Sequence, residues 1–190
     1  MNKILIDLDF KNCKSDPCLY KRDSLYIGLY VDDIFIVGPK TLINNFVHEI
    51  SKILSIRKYD EVLDFVGSQL IWNINNNEVL IHQSKLSIKL INKFKKELDL
   101  IKVPITPGVP SLIITTPSKD DKLIDRDSQT IFKSDFGSVL YLVKISRPDL
   151  SNISRELSKV MMKCTSFHYS LLLRALKYIE KHYFMVFYTK

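Results

Sequence analysis

The chain has 190 residues, of which 46% are hydrophobic and 26% are charged, a balance typical of globular proteins that excludes global disorder. Lysine and arginine number 28 against 21 acidic residues, and the resulting net charge of +7 favours a polyanionic partner, although a basic protein without such a partner has the same composition. Because no apolar run approaches the ~18 residues of a membrane span and no signal peptide opens the chain, we expect a soluble intracellular protein with no membrane partner.

The first 24 residues are predicted to contain a helix end and a loop, and two apolar runs then meet at Asp32 and Asp33. Strand interiors disfavour aspartate and adjacent anions repel each other, so the runs at 25–31 and 34–37 predict a β-hairpin with both carboxylates near its tip. Carboxylate oxygens are ligands of Mg²⁺, and paired metal ions assist phosphoryl transfer. An ordinary turn also contains aspartate, and the dipeptide alone leaves that alternative open.

A helix is predicted after this hairpin, because apolar residues recur at helical spacing from 43 to 54 and Thr41 is a candidate N-cap. A helix beside antiparallel strands predicts an α+β fold, with the helices on one face of the sheet. We also note that Gly28, in the first strand, leaves room for a close backbone approach.

A second hairpin is predicted from residues 65–74 and 79–82, with the asparagines at 75–77 as its turn, because asparagine tolerates positive φ. Trp72 lies in this hairpin. Core packing is the more common role of a single tryptophan in a strand, so we expect Trp72 to be buried.

The segment 84–98 gives the best physical indication of nucleic-acid binding. On a helical wheel its lysines fall in one narrow sector, opposite a continuous apolar face. These lysines are Lys85, Lys89, Lys93 and Lys96. A row of cations can contact successive phosphates and so confer affinity without reading the base sequence. An ordinary solvated face of an amphipathic helix has the same pattern.

The prolines and aspartates of residues 102–128 predict a solvated linker, since the periodicity is lost there and no ordered calcium-loop spacing is present. Helices are predicted at 131–145, near Pro148, and at 167–181, followed by a strand at 183–188. In the last helix, Lys177 is expected on the outer face. Gly137, in the first of these helices, lets a partner such as another helix approach closely.

No other catalytic motif is visible in the sequence. The four histidines lie in separate elements, and HExxH, P-loop and GxSxG patterns are absent. The three cysteines have no zinc-finger spacing, so reduced thiols are expected.

Several motifs, in the same order and over residues 7–188, resemble the reverse transcriptase of copia-type (Pseudoviridae) LTR retrotransposons. They are Asp7-Leu8-Asp9-Phe10, Ser15-Asp16-Pro17-Cys18-Leu19-Tyr20, Tyr30-Val31-Asp32-Asp33, Phe65-Val66-Gly67, the segment 80–85, Thr106-Pro107, the segments 136–142 and 146–150, His168-Tyr169 and the segment 176–179. One such motif would be weak, but an ordered series over nearly the whole chain is specific.

The resemblance implies a partial polymerase palm at residues 1–83, in which the hairpin with Tyr30-Val31-Asp32-Asp33 is followed by a primer-grip-like hairpin. It further implies a basic helix entering the thumb at 84–101, a linker at 102–128 and a helical thumb or connection region at 129–190 that leads toward an absent RNase H region. In the family the surface at Gly137 lies near the minor groove of the primer–template. It implies that Asp32 and Asp33 bind Mg²⁺ or Mn²⁺, that Tyr30 packs near the primer end, and that the lysines contact an RNA/DNA primer–template duplex. The implied activity is RNA-directed DNA synthesis, in the cytoplasm within virus-like particles or in the nucleus.

The family's fingers and its first catalytic aspartate would precede Met1, so we expect this chain alone to be inactive as a polymerase. A partner could be the missing N-terminal polymerase segment or another protein. The alternative is a non-enzymatic remnant that binds nucleic acid or protein, or a functionless pseudogene product. The family usually has glycine where Asp9 and Asp60 stand, which matters if those turns need positive φ.

Overall fold

A computed structural model describes residues 1–59, 64–73, 75, 78–182 and 187–189. Within these residues the predicted α+β class is confirmed, with antiparallel strands and several helices. The chain divides into two units, Met1–Val66 and Gly67–Lys190, and each contains an apolar core. Asp60, the turn residues 76–77 and the beginning of the predicted last strand at 183–186 lie outside the described residues. The subdivision into palm, linker and thumb stays a prediction.

The first unit contains an antiparallel sheet in which strands adjacent in sequence pair with each other. Its helices and strands are α1 (Asn2–Asp7), β1 (Lys11–Asn12), β2 (Leu19–Arg22), β3 (Leu25–Tyr30), β4 (Asp33–Val37), α2 (Lys40–Ser51) and β5 (Asp64–Phe65). The predicted hairpin at 25–37 is thus confirmed as β3 and β4. The loop prediction for residues 1–24 was wrong at β1 and β2, because their charged residues show no apolar alternation and pairing with β3 decides their conformation.

Alternation along β3 directs one set of side chains into the core of this unit. Leu25 and Ile27 are buried there with Phe46 and Ile50 of α2. The prediction that Thr41 caps α2 was wrong, since the helix begins at Lys40, directly after Pro39. The glycine before that proline is required by packing, because a Cβ on Gly38 would lie 2.8 Å from the Ser24 carbonyl oxygen.

The second unit combines a hairpin with a helical core. Its elements are β6 (Ser68–Asn73), β7 (Glu78–His82), α3 (Ser84–Lys93), α4 (Lys95–Leu98), α5 (Arg126–Ile145), a 3₁₀ turn (Pro148–Leu150), α6 (Ser151–Ser158), α7 (Ser166–Lys181) and β8 (Phe187–Thr189). β6 pairs with β7 and β7 with β8, all antiparallel. The second predicted hairpin and the two predicted helices near Pro148 and at 167–181 are therefore confirmed.

Two helix boundaries differ from the sequence-based prediction. The helix predicted at 84–98 is interrupted at Phe94, whose buried ring lies 6.5 Å from that of Tyr169. Helix α5 begins at Arg126 rather than at residue 131, because the Asp125 carboxylate accepts hydrogen bonds from the backbone N–H groups of Asp127 and Ser128. Hydrogen bonds from the hydroxyl and the backbone N–H of Ser128 hold the pKa of the Asp125 carboxyl below its usual value.

The predicted linker is irregular through Ile124, but it is not a purely solvated segment. Ile114 is buried in the helical core, and its backbone N–H donates to the Glu156 carboxylate at 2.8 Å. A hydrogen bond from Lys159, together with the one from Ile114, lowers the pKa of Glu156. Anchoring by one apolar side chain and one carboxylate therefore fixes the middle of this segment against α6.

Two single-residue expectations, those for Trp72 and Lys177, were wrong, and for Gly137 the structure does not support one of the two alternatives. Trp72 is 44% exposed, because it lies in the outer half of β6, where successive residues are exposed. Lys177 is buried and binds Glu180 at 2.6 Å instead of pointing into solvent. A Cβ on Gly137 would meet nothing within 4 Å, so this glycine does not serve close helix packing within the described chain.

Among the described residues, no helix combines the length and the apolar character needed to cross a membrane.

Candidate functional site

The two sequence-predicted carboxylates lie at the tip of the β3–β4 hairpin. Tyr30 pairs with Asp33, so Val31 and Asp32 form a two-residue loop between the strands. Asp32 therefore belongs to the loop and Asp33 is the first residue of β4, and both are exposed. The fold thus presents two adjacent carboxylates to solvent on a rigid paired scaffold.

The backbone of this loop is strained. Val31 has φ of 54°, the left-handed region that two-residue hairpin loops require at their first central position and that glycine or asparagine usually occupies. A β-branched residue is a clear outlier there. Because the Val31 side chain is 83% exposed, burial of its own methyl groups does not offset this strain.

The donor chemistry of Asp32 and Asp33 fits a hard cation such as Mg²⁺, which takes carboxylate oxygens. Within the described ranges, no group of three or more His, Cys, Asp or Glu side chains gathers into a metal site. The residues therefore fit as part of a metal site, and further ligands from substrate, water or another segment would be needed to complete it.

Tyr30 stands beside the carboxylates on the open face of the sheet. Its ring is 51% exposed and lies edge-on to Phe65, with the centroids 6.5 Å apart. The centroid of the Phe35 ring lies 5.1 Å from that of Phe65, so both Tyr30 and Phe35 contact the Phe65 ring. A Cβ on Gly28 would make only ordinary van der Waals contacts, the nearest with the Leu19 side chain at 3.7 Å. The close backbone approach for which this glycine leaves room is therefore not made by the described part of the chain.

The predicted lysine stripe, Lys85, Lys89, Lys93 and Lys96, lies in the second unit, on α3 and α4, and all four side chains are exposed. The interruption at Phe94 separates Lys96 from the other three. No ion pair joins Lys89 or Lys96 to any acidic residue in the part of the chain that the structure describes. These two lysines are accordingly available to an external anion.

Lys93 has an internal partner that the sequence reasoning missed. Its ammonium nitrogen lies 2.7 and 2.8 Å from the two carboxylate oxygens of Asp135 on α5. The Asp135 side chain is only 5% exposed, whereas that of Lys93 is 47% exposed. The sequence contained one sign of this pair. Asp135 lies on the apolar side of a predicted helix, beside Phe136 and one turn from Phe132, where a carboxylate needs a partner.

The Ser-Arg-Pro-Asp motif is structural in this fold. Arg147 is buried, and its guanidinium makes a two-point ion pair with Asp149 at 2.9 and 2.8 Å. It also donates to the carbonyl oxygen of His182 and lies over the Tyr178 ring. The motif therefore ties the turn before α6 to the end of α7.

Comparison with known proteins supports the resemblance. The chain is 26% identical over 188 residues to a transposon Ty5-1 protein of Saccharomyces cerevisiae, covering 94% of this chain and 58% of that protein. It is 29% identical over 180 residues to a retrovirus-related Pol polyprotein from transposon RE2 of Arabidopsis thaliana, covering 92% of this chain and 12% of the polyprotein. A Pol polyprotein from transposon TNT 1-94 of Nicotiana tabacum is 23% identical over 176 residues, covering 87% and 13%.

No family model matches the chain, and no solved structure matches it. The chain spans little more than half of the yeast relative and about an eighth of each plant polyprotein. The similarity nevertheless extends over most of this chain in each comparison. The similarity to a Ty5-1 transposon protein and to transposon Pol polyproteins thus supports the resemblance that the motifs indicated, that of a retrotransposon-derived Pol fragment.

Proposed function

We propose that this chain is the later palm and thumb part of a retrotransposon reverse transcriptase, and that it contributes Asp32 and Asp33 to a two-metal polymerase site. The observation that carries the proposal is the β3–β4 hairpin, which presents these two carboxylates at its tip. Similarity to Pol polyproteins along most of the chain supports the same assignment.

In the proposed reaction the primer 3′-hydroxyl attacks the α-phosphorus of a deoxynucleoside triphosphate. The bond between the α-phosphorus and the bridging oxygen breaks, pyrophosphate leaves, and the hydroxyl proton passes to solvent. Mg²⁺ or Mn²⁺ ions, when bound, would stabilise the attacking and leaving oxygens. The role of the chain is to hold two carboxylate ligands on a paired hairpin, with Tyr30 beside them to pack against the primer end. Lys85, Lys89 and Lys96 would contact backbone phosphates.

Polymerase activity would require further ligands and a nucleotide-binding surface from another segment of a Pol polyprotein. We therefore expect no primer extension by the purified chain with Mg²⁺ or Mn²⁺. Co-expression with an N-terminal Pol segment should restore extension, and Asp32→Asn should abolish it. Asp23→Asn, which changes an aspartate in the β2–β3 turn, is the matched control and should retain activity. Extension by the chain alone, or full activity of the Asp32→Asn complex, would contradict the proposal.

The non-enzymatic alternative is a remnant that binds nucleic acid without catalysis. It is favoured because, among the described residues, Asp32 and Asp33 do not gather with a third potential metal ligand. Binding of the purified chain to an RNA–DNA primer duplex tests nucleic-acid binding separately from catalysis. It can be followed by fluorescence anisotropy at several salt concentrations. Affinity that falls log-linearly with salt supports the duplex as partner, and no binding by a folded, monodisperse chain would leave a protein-binding or functionless remnant. The proposed sites of action are the cytoplasm and the nucleus, where retrotransposon intermediates occur.

A further inference from the structure

We infer that Asp135 withdraws Lys93 from nucleic-acid binding, so that the lysine stripe contacts phosphates through its other members. This inference rests on the proposed binding of a nucleic-acid duplex. It assigns Asp135, on a different helix, the role of a positioning residue that sets how many cations of the stripe face the duplex.

The contact geometry favours an internal commitment of Lys93. Both oxygens of Asp135 lie within 2.8 Å of the ammonium nitrogen, and the carboxylate is almost fully buried. Removing the charged partner of a buried carboxylate is strongly destabilising, so a phosphate that competes for Lys93 would have to overcome that penalty. The Lys93 ammonium also lies 5.4 Å from the centroid of the Phe94 ring, a distance at which a cation–π attraction favours the same position.

The charge balance along the stripe leads to the same conclusion. Lys93 and Asp135 together carry no net charge, so this position should release no counterion when a phosphate approaches. The neighbouring Lys95 is similarly occupied, by Asp99 at 2.8 Å and by Glu180 at 2.9 Å. By contrast, Lys89 and Lys96 have no acidic partner among the described residues. The cationic surface is therefore smaller than the sequence suggests.

The salt dependence of binding to a short RNA–DNA duplex tests this inference. The slope, taken here as the steepness with which the logarithm of the affinity falls with the logarithm of the salt concentration, is proportional to the number of phosphate contacts. Lys89→Ala should lower the slope by about 0.9, the value per contact for duplex DNA, whereas Lys93→Ala should leave it unchanged. Asp135→Asn should release Lys93 and raise the slope by about 0.9, which between about 50 and 200 mM salt is roughly a 3.5-fold difference in affinity. A purely structural role of the pair would move stability but not this slope.

Two further variants keep the test decisive. Lys93→Met removes the charge while keeping a long unbranched side chain, and it should keep the wild-type slope even if Asp135→Asn fails to fold. The Lys93→Ala, Asp135→Asn double variant should also keep that slope. If Lys93→Met lowered the slope as much as Lys89→Ala does, the inference would be overturned, whereas the proposed binding of nucleic acid would stand. Absence of binding by the folded wild-type chain would instead overturn the proposed function, and the inference with it.

Discussion

At the scale of single residues, the chain places unusual backbone conformations at turns. Asp9 and Val31 both have positive φ, at 65° and 54°. At Asp9 the resemblance predicted glycine, and aspartate is among the residues that tolerate this positive φ. Val31 is the less compatible of the two because it is β-branched. The strain at the hairpin tip is thus a property of one side chain in a conformation imposed by the loop length.

We expect Val31→Gly to stabilise the first unit by about 1 kcal/mol, since relief of roughly 1–3 kcal/mol of backbone strain exceeds the entropic cost of glycine. Chemical denaturation followed by circular dichroism measures this change. Val31→Ala retains a Cβ in the left-handed region and is the control, with a smaller gain. A lower stability of Val31→Gly than of the wild type would refute the strain argument.

At the scale of elements, helix ends are decided by side chains that accept backbone hydrogen bonds. Asp125 begins α5, and His168 performs a similar function for α7, where its Nδ1 accepts from the Thr165 backbone N–H at 3.1 Å. That acceptor exists only in the neutral imidazole. Burial lowers the pKa of His168, and the nearby Asp121 opposes this only in part.

The lowered pKa of His168 predicts a pH dependence of stability. The folded state binds fewer protons than the unfolded state, so this contribution is fully present above the unfolded pKa of 6.5 and is lost as the pH falls through the lower folded pKa. The melting temperature should therefore decrease on acidification below about pH 6.5.

His168→Gln supplies a non-titrating acceptor at the same position and should flatten this dependence. His48→Gln, at an exposed site on α2, should leave it unchanged. Thermal unfolding of the three proteins between about pH 5 and 7.5 makes the comparison, because ordinary carboxylates titrate mainly below this range. An unaltered pH profile for His168→Gln would show that another group is responsible.

At the scale of the whole molecule, the chain builds two separate apolar cores. One contains Phe46 between helix and sheet, and the other contains Phe136 among the helices of the second unit. Both side chains have 0% exposure, so each substitution to alanine would leave a cavity. The two units can therefore be destabilised by different substitutions.

Phe46→Ala and Phe136→Ala should each cost about 3–5 kcal/mol, but in different units. Hydrogen exchange resolved by peptide should show faster exchange chiefly within residues 1–66 for the first variant and within residues 67–182 for the second. The two variants act as controls for each other. Equal loss of protection in both units from either substitution would show that the chain unfolds as one cooperative body.

Three features could be predicted from local sequence patterns: the carboxylate hairpin, the apolar faces of α2 and α3, and the resemblance to retrotransposon Pol polyproteins. These features depend on local periodicity and on contiguous motifs, which any stretch of chain carries with it. Tertiary structure alone decided the strands β1 and β2, the burial of Ile114 and the pairing of Lys93 with Asp135. The two partners of that pair are 42 residues apart in sequence, and only the packing of α3 against α5 brings their charges together.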